Sequence, residues 1–229
     1  MDVNRFSQHP ASVPDIASKD LFLYNKVKRI LDVLFSVFVL VSGLPLFILL
    51  AILIKATSHG PVFYRSKRIG QGRQLFTCWK FRSMFSDAEH RLAQLLADNP
   101  NFQKEWKTYF KLKEDPRLTR VGKFLRKTSL DEFPQFLNVL LGDLSLVGPR
   151  PFLPNEIDAI RRVIGKDTEL LFSVKPGLTG IWQTSGRSYL TFEQRVRLDL
   201  NYLHRRSFLF DLILIGKTIP MLILPKGAF

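Results

Sequence analysis

The 229-residue sequence predicts an α+β chain, mostly helical, that is held at a membrane by its N-terminal segment. Three observations carry that expectation. Ile30 to Ile54 is a long apolar run interrupted only by Asp32, Ser36 and Ser42, long enough to cross a bilayer. Two short β-type runs, Pro61–Gly70 and Leu75–Arg82, flank a Gly-Gln-Gly-Arg turn. Beyond them, apolar residues recur at three- and four-residue spacing in a series of amphipathic helices.

The formal charge of +14 calls for an anionic partner: nucleic acid, a phosphorylated substrate or an acidic membrane surface. Between Pro61 and Leu130 there are 16 Lys or Arg against 6 Asp or Glu, so this stretch alone supplies +10. Cys78 is the single cysteine, which excludes an internal disulfide and fits a reducing compartment. His9, His59, His90 and His204 are scattered without zinc-site spacing.

Taken in order, residues 1–25 read as a flexible tail with a short helix near Leu21, and no secretory signal is expected. The apolar run has cations on both sides, Lys26, Lys28 and Arg29 before it and Lys55, Arg65, Lys67 and Arg68 after it. The positive-inside rule therefore gives no direction. Gly43-Leu44-Pro45 breaks the run midway, where proline removes a backbone hydrogen bond. A re-entrant hairpin and a kinked span are equally compatible with these residues. The two β-runs make a small hairpin with alternate basic side chains. Ser86-Asp-Ala-Glu89 reads as a capping box opening a helix through Leu92, Leu95 and Leu96, stopped by Asn99-Pro100. Phe102, Trp106 and Phe110 then form an aromatic packing stripe beside Lys104, Lys107 and Lys111. Asp115-Pro-Arg-Leu-Thr119 opens the next helix. It has Leu118, Val121 and Leu125 on one face, and Arg120, Lys123 and Lys127 on a face suited to phosphates and lipid headgroups alike. Helices follow over Asn155–Ile164 and Phe192–Leu203. The apolar but short Phe208–Leu224 reads as an interfacial or partly buried helix.

The chemistry concentrates in Thr128-Ser-Leu-Asp-Glu-Phe-Pro-Gln135 and Gly142-Asp-Leu-Ser-Leu-Val-Gly-Pro-Arg-Pro151. Phe133, Phe136, Leu137 and Leu140 predict a helix starting near Ser129, with Ser129 and Glu132 as a capping box. Pro134 sits awkwardly in that helix, and capping does not explain why Arg117, Arg120, Lys123, Arg126 and Lys127 crowd toward the same point. A carboxylate at a helix N-terminus among cations is a place for a phosphate or metal-bound phosphate to dock, and for an ionised Asp131 to act as nucleophile. Asp131 and Glu132 together suit one Mg²⁺. Arg150, between prolines, and Arg187, after Ser185-Gly186, are placed to grip phosphate in bidentate fashion. Asp199 is the isolated acid of its helix and a candidate for orienting one of these arginines.

Ser129-Leu-Asp-Glu132, Asn138-Val139, Gly142-Asp-Leu-Ser145 and Gly148-Pro-Arg-Pro151, in this order, resemble the bacterial sugar transferases, the monotopic phosphoglycosyl transferases. The resemblance runs from about Lys28 to the C-terminus. It implies a re-entrant membrane helix over 26–57 and a catalytic domain over 58–229 lying on the cytoplasmic face of the bacterial inner membrane. The family's break carries a Ser-Pro pair, whereas here the pair is Leu44-Pro45, which leaves any hydrogen bond at the kink to Ser42 or another group. It implies a UDP-sugar donor, Mg²⁺ across its phosphates, and Asp131 as nucleophile and metal ligand. Glu132 would be a proton or metal-shell partner, Lys80 of Trp79-Lys-Phe-Arg82 a phosphate contact, and Arg126, Arg150, Arg187 and Asp199 further substrate-binding residues. UMP would leave, and the phosphosugar would pass from Asp131 to polyprenyl phosphate. The helical insertion after the hairpin resembles members that handle hexose phosphates. A basic membrane-attached nucleic-acid binder or a recruiting scaffold would explain the charge and the anchor, but not the Asp-Glu pair with its glycine-proline motifs. Nucleic acid is accordingly not expected as a partner, and a homo-oligomer is left open.

Overall fold

The computed structural model describes residues 18–109, 112, 114–185 and 190–223. Its apolar run folds as two helices rather than one: α1 (Ser18–Ser42) and α2 (Leu44–Thr57) meet at Gly43 with a 60° bend. Pro45 lies in the first turn of α2, where its missing N–H costs nothing. The hydroxyl of Ser42 donates to the Phe38 carbonyl at 2.7 Å, one turn before the break. The helix expected near Leu21 is the opening of α1, so 18–25 extend that helix instead of belonging to the tail; positions 1–17 lie outside the described residues. No single described helix is long and apolar enough to cross a membrane.

Strands β1 (Phe63–Ile69) and β2 (Leu75–Phe81) pair antiparallel across the Gly70–Arg73 turn, with Tyr64 opposite Lys80 and Ser66 opposite Cys78. Gly72 and Arg73 take positive φ there, the conformation that a tight reversal requires. Helices α3 (Ala88–Asp98) and α4 (Pro100–Tyr109) form the insertion. The expected Ser86–Glu89 capping box is not made: α3 starts at Ala88 with Asp87 as its cap position, and the Asp87 carboxylate accepts from Arg91 Nε at 2.8 Å. Phe110 and Lys111 of the aromatic and basic stripes lie outside the described residues.

Helix α5 (Arg120–Thr128) is capped by Thr119, whose hydroxyl accepts from Gly122 N–H at 2.8 Å. A Cβ on Gly122 would lie 1.7 Å from the Ser83 carbonyl oxygen. Only glycine lets α5 approach the chain after β2 so closely, and that approach brings Arg126 Nε to 3.1 Å from Ser83 Oγ. Val121 and Leu125 of α5 pack with Leu50, Ile54 and Phe81, tying α2 to the hairpin.

Strand β3 (Ser145–Val147) pairs parallel with β4 (Gly177–Thr179), with Ser145 opposite Gly177 and Val147 opposite Thr179. Between them run α7 (Ile157–Ile164) and α8 (Thr168–Leu171), and after them α9 (Ile181–Ser185), α10 (Phe192–Arg205) and α11 (Phe208–Ile223). The main core joins β3, α7, α9 and α10 through Leu146, Val147, Ile160, Trp182, Val196 and Tyr202. Asp211 and Leu214 are buried while Leu209, Leu212 and Ile219 are exposed, so α11 is a half-buried helix with an apolar outer face.

Candidate active site

The helix expected from Ser129 begins six residues later. Ser129 ends α5 in the left-handed conformation (φ 58°), and its side chain caps nothing. Leu130–Glu132 form a 3-10 turn, Pro134 is the cap position, and α6 (Gln135–Leu141) follows, closed by Gly142 at φ 95°. Pro134 explains the shift: without an N–H it suits the mouth of a helix and not its fifth position. Asp131 and Glu132 therefore sit on a tight turn between two helices rather than at the N-terminus of one.

That turn gives two adjacent carboxylates different surroundings. Glu132 Oε1 takes two cations directly, Lys80 Nζ at 2.6 Å and Arg150 Nη2 at 3.2 Å. Asp131 is only 7 % exposed and feels Lys80, Arg126 and Arg150 through space. Burial pushes its carboxyl up to about 6; Lys80 opposes that shift and the neighbouring Glu132 charge adds to it. The expected helix end beside Asp131 is absent, and the charges of Lys80, Arg126 and Arg150 are what favour its ionised form.

Arg150 is fixed from three directions. Its guanidinium reaches Glu132 and lies 5.0 Å from the Trp182 ring, and its backbone N–H donates to Asp199 Oδ2 at 3.3 Å. Asp199, on α10, is fully buried, so it orients the Arg150 main chain rather than its guanidinium. Burial raises the Asp199 carboxyl to about 7, with Arg195 and the Arg150 N–H pulling the other way. Gly148, two residues before Arg150, crosses the chain at Gly177, where a Cβ would lie 2.1 Å from Gly148 N. Arg187 lies outside the described residues.

Around these groups lies a small cleft of about 10 Å³ lined by Arg68, Lys80, Glu132, Arg150 and the buried Cys78, with Gln135 at its side. Three cations face one carboxylate in this lining, a balance that suits an anion. Arg68 and Arg195 do not stand out in the sequence. Arg68 donates to the Pro151 carbonyl at 3.2 Å, and its guanidinium is driven down by burial and by the Arg150 charge. Arg195 pairs with buried Glu156 at 3.1 Å and lies over the Phe152 ring. Its position one turn before Asp199 on the same helix is the signal that could have found it.

Among the described residues no group of three or more acidic, His or Cys side chains could hold a metal by themselves. Two adjacent carboxylates fit a divalent cation that takes its remaining ligands from substrate phosphates and water, the usual habit of Mg²⁺.

A model of the bacterial sugar transferases matches residues 23–225. The chain belongs to that family. It is 41% identical to the exopolysaccharide production protein ExoY of Sinorhizobium fredii over 88% of each chain, and 38% identical to ExoY of Rhizobium meliloti over 98% of each. It is 40% identical to the undecaprenyl-phosphate galactose phosphotransferase of Salmonella typhimurium, over 89% of this chain but 42% of that protein. The UDP-glucose:undecaprenyl-phosphate glucose-1-phosphate transferase of Escherichia coli is 35% identical over a similar share. In this member of the sugar transferases, Glu132, Lys80 and Arg150 line the cleft, Asp131 adjoins Glu132 with the Arg126 charge nearby, and Asp199 lies behind Arg150.

Proposed function

We infer that this sugar transferase moves a hexose 1-phosphate from a UDP-sugar to polyprenyl phosphate at the cytoplasmic face of the bacterial inner membrane, releasing UMP. The observation that carries the reading is the Asp131–Glu132 turn, with Glu132 paired to Lys80 and Arg150 in a cation-rich cleft and Arg126 adding its charge beside Asp131. The relatives named for galactose and glucose transfer support a hexose.

In the first step an Asp131 carboxylate oxygen attacks the phosphorus that bears the sugar. The bond from that phosphorus to the bridging oxygen breaks, and UMP carries the electron pair away. Lys80 and Arg150 offset the charge gathered at the phosphoryl oxygens, and Arg126 favours the ionised nucleophile. In the second step an oxygen of the lipid phosphate attacks the same phosphorus, and the acyl-phosphate bond breaks to return the carboxylate. Splitting the transfer lets one anion leave before the next arrives. Asp131, with Glu132 beside it, would hold Mg²⁺, which supplies charge neutralisation on the donor's phosphates. Glu132, already paired with Lys80 and Arg150, sets the positions of these cations.

The bend between α1 and α2, the cations flanking both ends and the outward apolar side chains support a hairpin that enters and leaves one side of the bilayer. The decisive experiment incubates purified protein with a panel of UDP-sugars and Mg²⁺, with and without polyprenyl phosphate. UMP equal to about one equivalent of enzyme without lipid, and turnover with lipid, is expected. UMP that appears only when lipid is present would overturn the covalent route, and no UMP from any sugar nucleotide would overturn the function.

A further inference from the structure

Helix α1 carries Tyr24, Lys28, Arg29 and Asp32 along one side, at the spacing of successive turns. Each reaches an element that bears or adjoins a site residue. Arg29 donates through Nη1 to the Val139 carbonyl at 2.6 Å and through Nη2 to the Leu140 carbonyl at 2.9 Å. These carbonyls close α6, whose other end is the Asp131–Glu132 turn. Asp32, 4 % exposed, accepts from the Leu146 N–H at 3.0 Å. Leu146 lies between the two β3 residues paired with β4, so its N–H faces the open edge of that strand. Four residues further on is Arg150. Lys28 and Tyr24 meet Asp211 Oδ2 at 2.5 and 2.9 Å, and Asp211 Oδ1 accepts from Tyr202, three residues beyond Asp199 on α10.

An acidic side chain in an apolar segment is costly unless a donor meets it, and a membrane anchor by itself gives no reason for one. Here the donor is a backbone group of the strand that delivers Arg150. The Arg150–Glu132 contact at 3.2 Å joins the two pieces that Arg29 and Asp32 hold from behind. We propose that Arg29 and Asp32 are positioning residues of the transfer site, through which the membrane helix sets the separation between the Asp131–Glu132 turn and Arg150. This rests on the transferase reading above. The anchor is then part of the active-site framework, and loosening its grip costs catalysis even while the protein stays on the membrane.

The test is a double-mutant cycle on lipid-linked product formation in detergent or vesicles, with Asp32→Ala, Arg150→Ala and the pair. Asp32→Ala should lower kcat at least about tenfold with KM for the sugar nucleotide changed far less, since a small misplacement of catalytic groups is costly. In the Arg150→Ala background the same change should cost almost nothing further. Asp32→Asn keeps an acceptor for the Leu146 N–H and should stay within about twofold of the parent. Should Asp32→Ala not fold, Arg29→Gln takes its place, paired with Glu132→Gln. Equal losses in both backgrounds, or an Asn variant as impaired as Ala, would overturn the proposal. Hydrogen exchange supplies a readout independent of activity: Asp32→Ala should speed exchange in a peptide covering 144–152 and leave 157–164 unchanged. If the parent itself transfers nothing, the functional reading fails, and the exchange result still decides this one.

Discussion

The N-terminal helix pair and the rest of the chain are built with opposite polarity. In α1 and α2, Phe38, Val41, Ile48, Leu49 and Ile52 face outward, while Asp32 and Ser36 are buried against the protein. Around β3 and α10 the order is the usual one, with Leu144, Ile160 and Val196 inside and charges gathered at the cleft. The comparison shows that hydrophobicity alone identifies neither inside nor outside; what a segment turns toward its neighbours does. In α1 the polar residues Arg29 and Asp32 make the contacts that fix its place, whereas α2 is held by the buried Leu50 and Ile54.

The largest effect should come from the cleft. Asp131→Asn is expected to lower lipid-linked product by at least about a thousandfold, and to abolish lipid-independent UMP release and the mass added to the peptide containing Asp131. Glu132→Gln should only slow both. An Asn variant that still forms the adduct would end the assignment of nucleophile. In the substrate-free enzyme kcat/KM should fall as pH drops through about 6, because the ionised form of Asp131 attacks.

Paired leucines sharpen the contrast itself. Leu125, fully buried between α5 and the hairpin, should cost about 2–5 kcal/mol when cut to alanine, seen as a lowered Tm. Leu49, 52 % exposed on α2, should tolerate Leu49→Glu with little change of Tm in detergent but a marked loss from the membrane fraction. A Leu49→Glu protein that melts like Leu125→Ala would mean that the outward face is core after all.

Topology comes next. Single cysteines at Asn25 and His59, in a Cys78→Ser background, should both be shielded from a membrane-impermeant reagent added to intact cells. Labelling of one alone would establish a span, and Pro45→Ala should push the chain toward it.

The smallest effect concerns Asp199. Its raised carboxyl means that the folded state holds a proton the unfolded chain gives up. The stability this supplies is fully present below about pH 4 and is lost as pH rises through about 7. Asp199→Asn keeps the acceptor without the charge. Its Tm should exceed the parent's by a few degrees at pH 8, roughly 2–4 °C for each kcal/mol, and converge on it toward pH 4. A gain that is flat with pH would show that the buried charge is not its source.

Much of this was legible in the sequence because it was periodic or local. The hairpin, the break at Gly43, the amphipathic α5 and the Asp131–Glu132 pair all declare themselves over a few residues. The helix start at Ser129 misled because the capping signature and the apolar spacing agreed with each other, and only Pro134 dissented. The Ser86 capping box failed because the helix takes Asp87, not Ser86, as its cap position, which puts Glu89 out of step with the motif. Arg68 and Asp32 were beyond reach as site-related residues, since their partners Pro151 and Leu146 lie 83 and 114 positions away. The burial that lifts the Asp131 carboxyl is equally long-range.

The 60° bend at Gly43 has a mechanical side. Given the re-entrant topology, two arms inclined equally would each lie about 30° from the membrane plane. Helix α2, about 21 Å long at 1.5 Å per residue, would then carry the apex only about 10 Å deep. That is less than half of a hydrocarbon layer about 30 Å thick. The protein would add cross-sectional area to the inner leaflet and none to the outer one. Such a wedge makes its host leaflet expand relative to the other, so crowded copies should favour membrane that bulges toward the cytoplasm. Partition between vesicles of different radius, with the smallest preferred, would register that sensitivity to curvature.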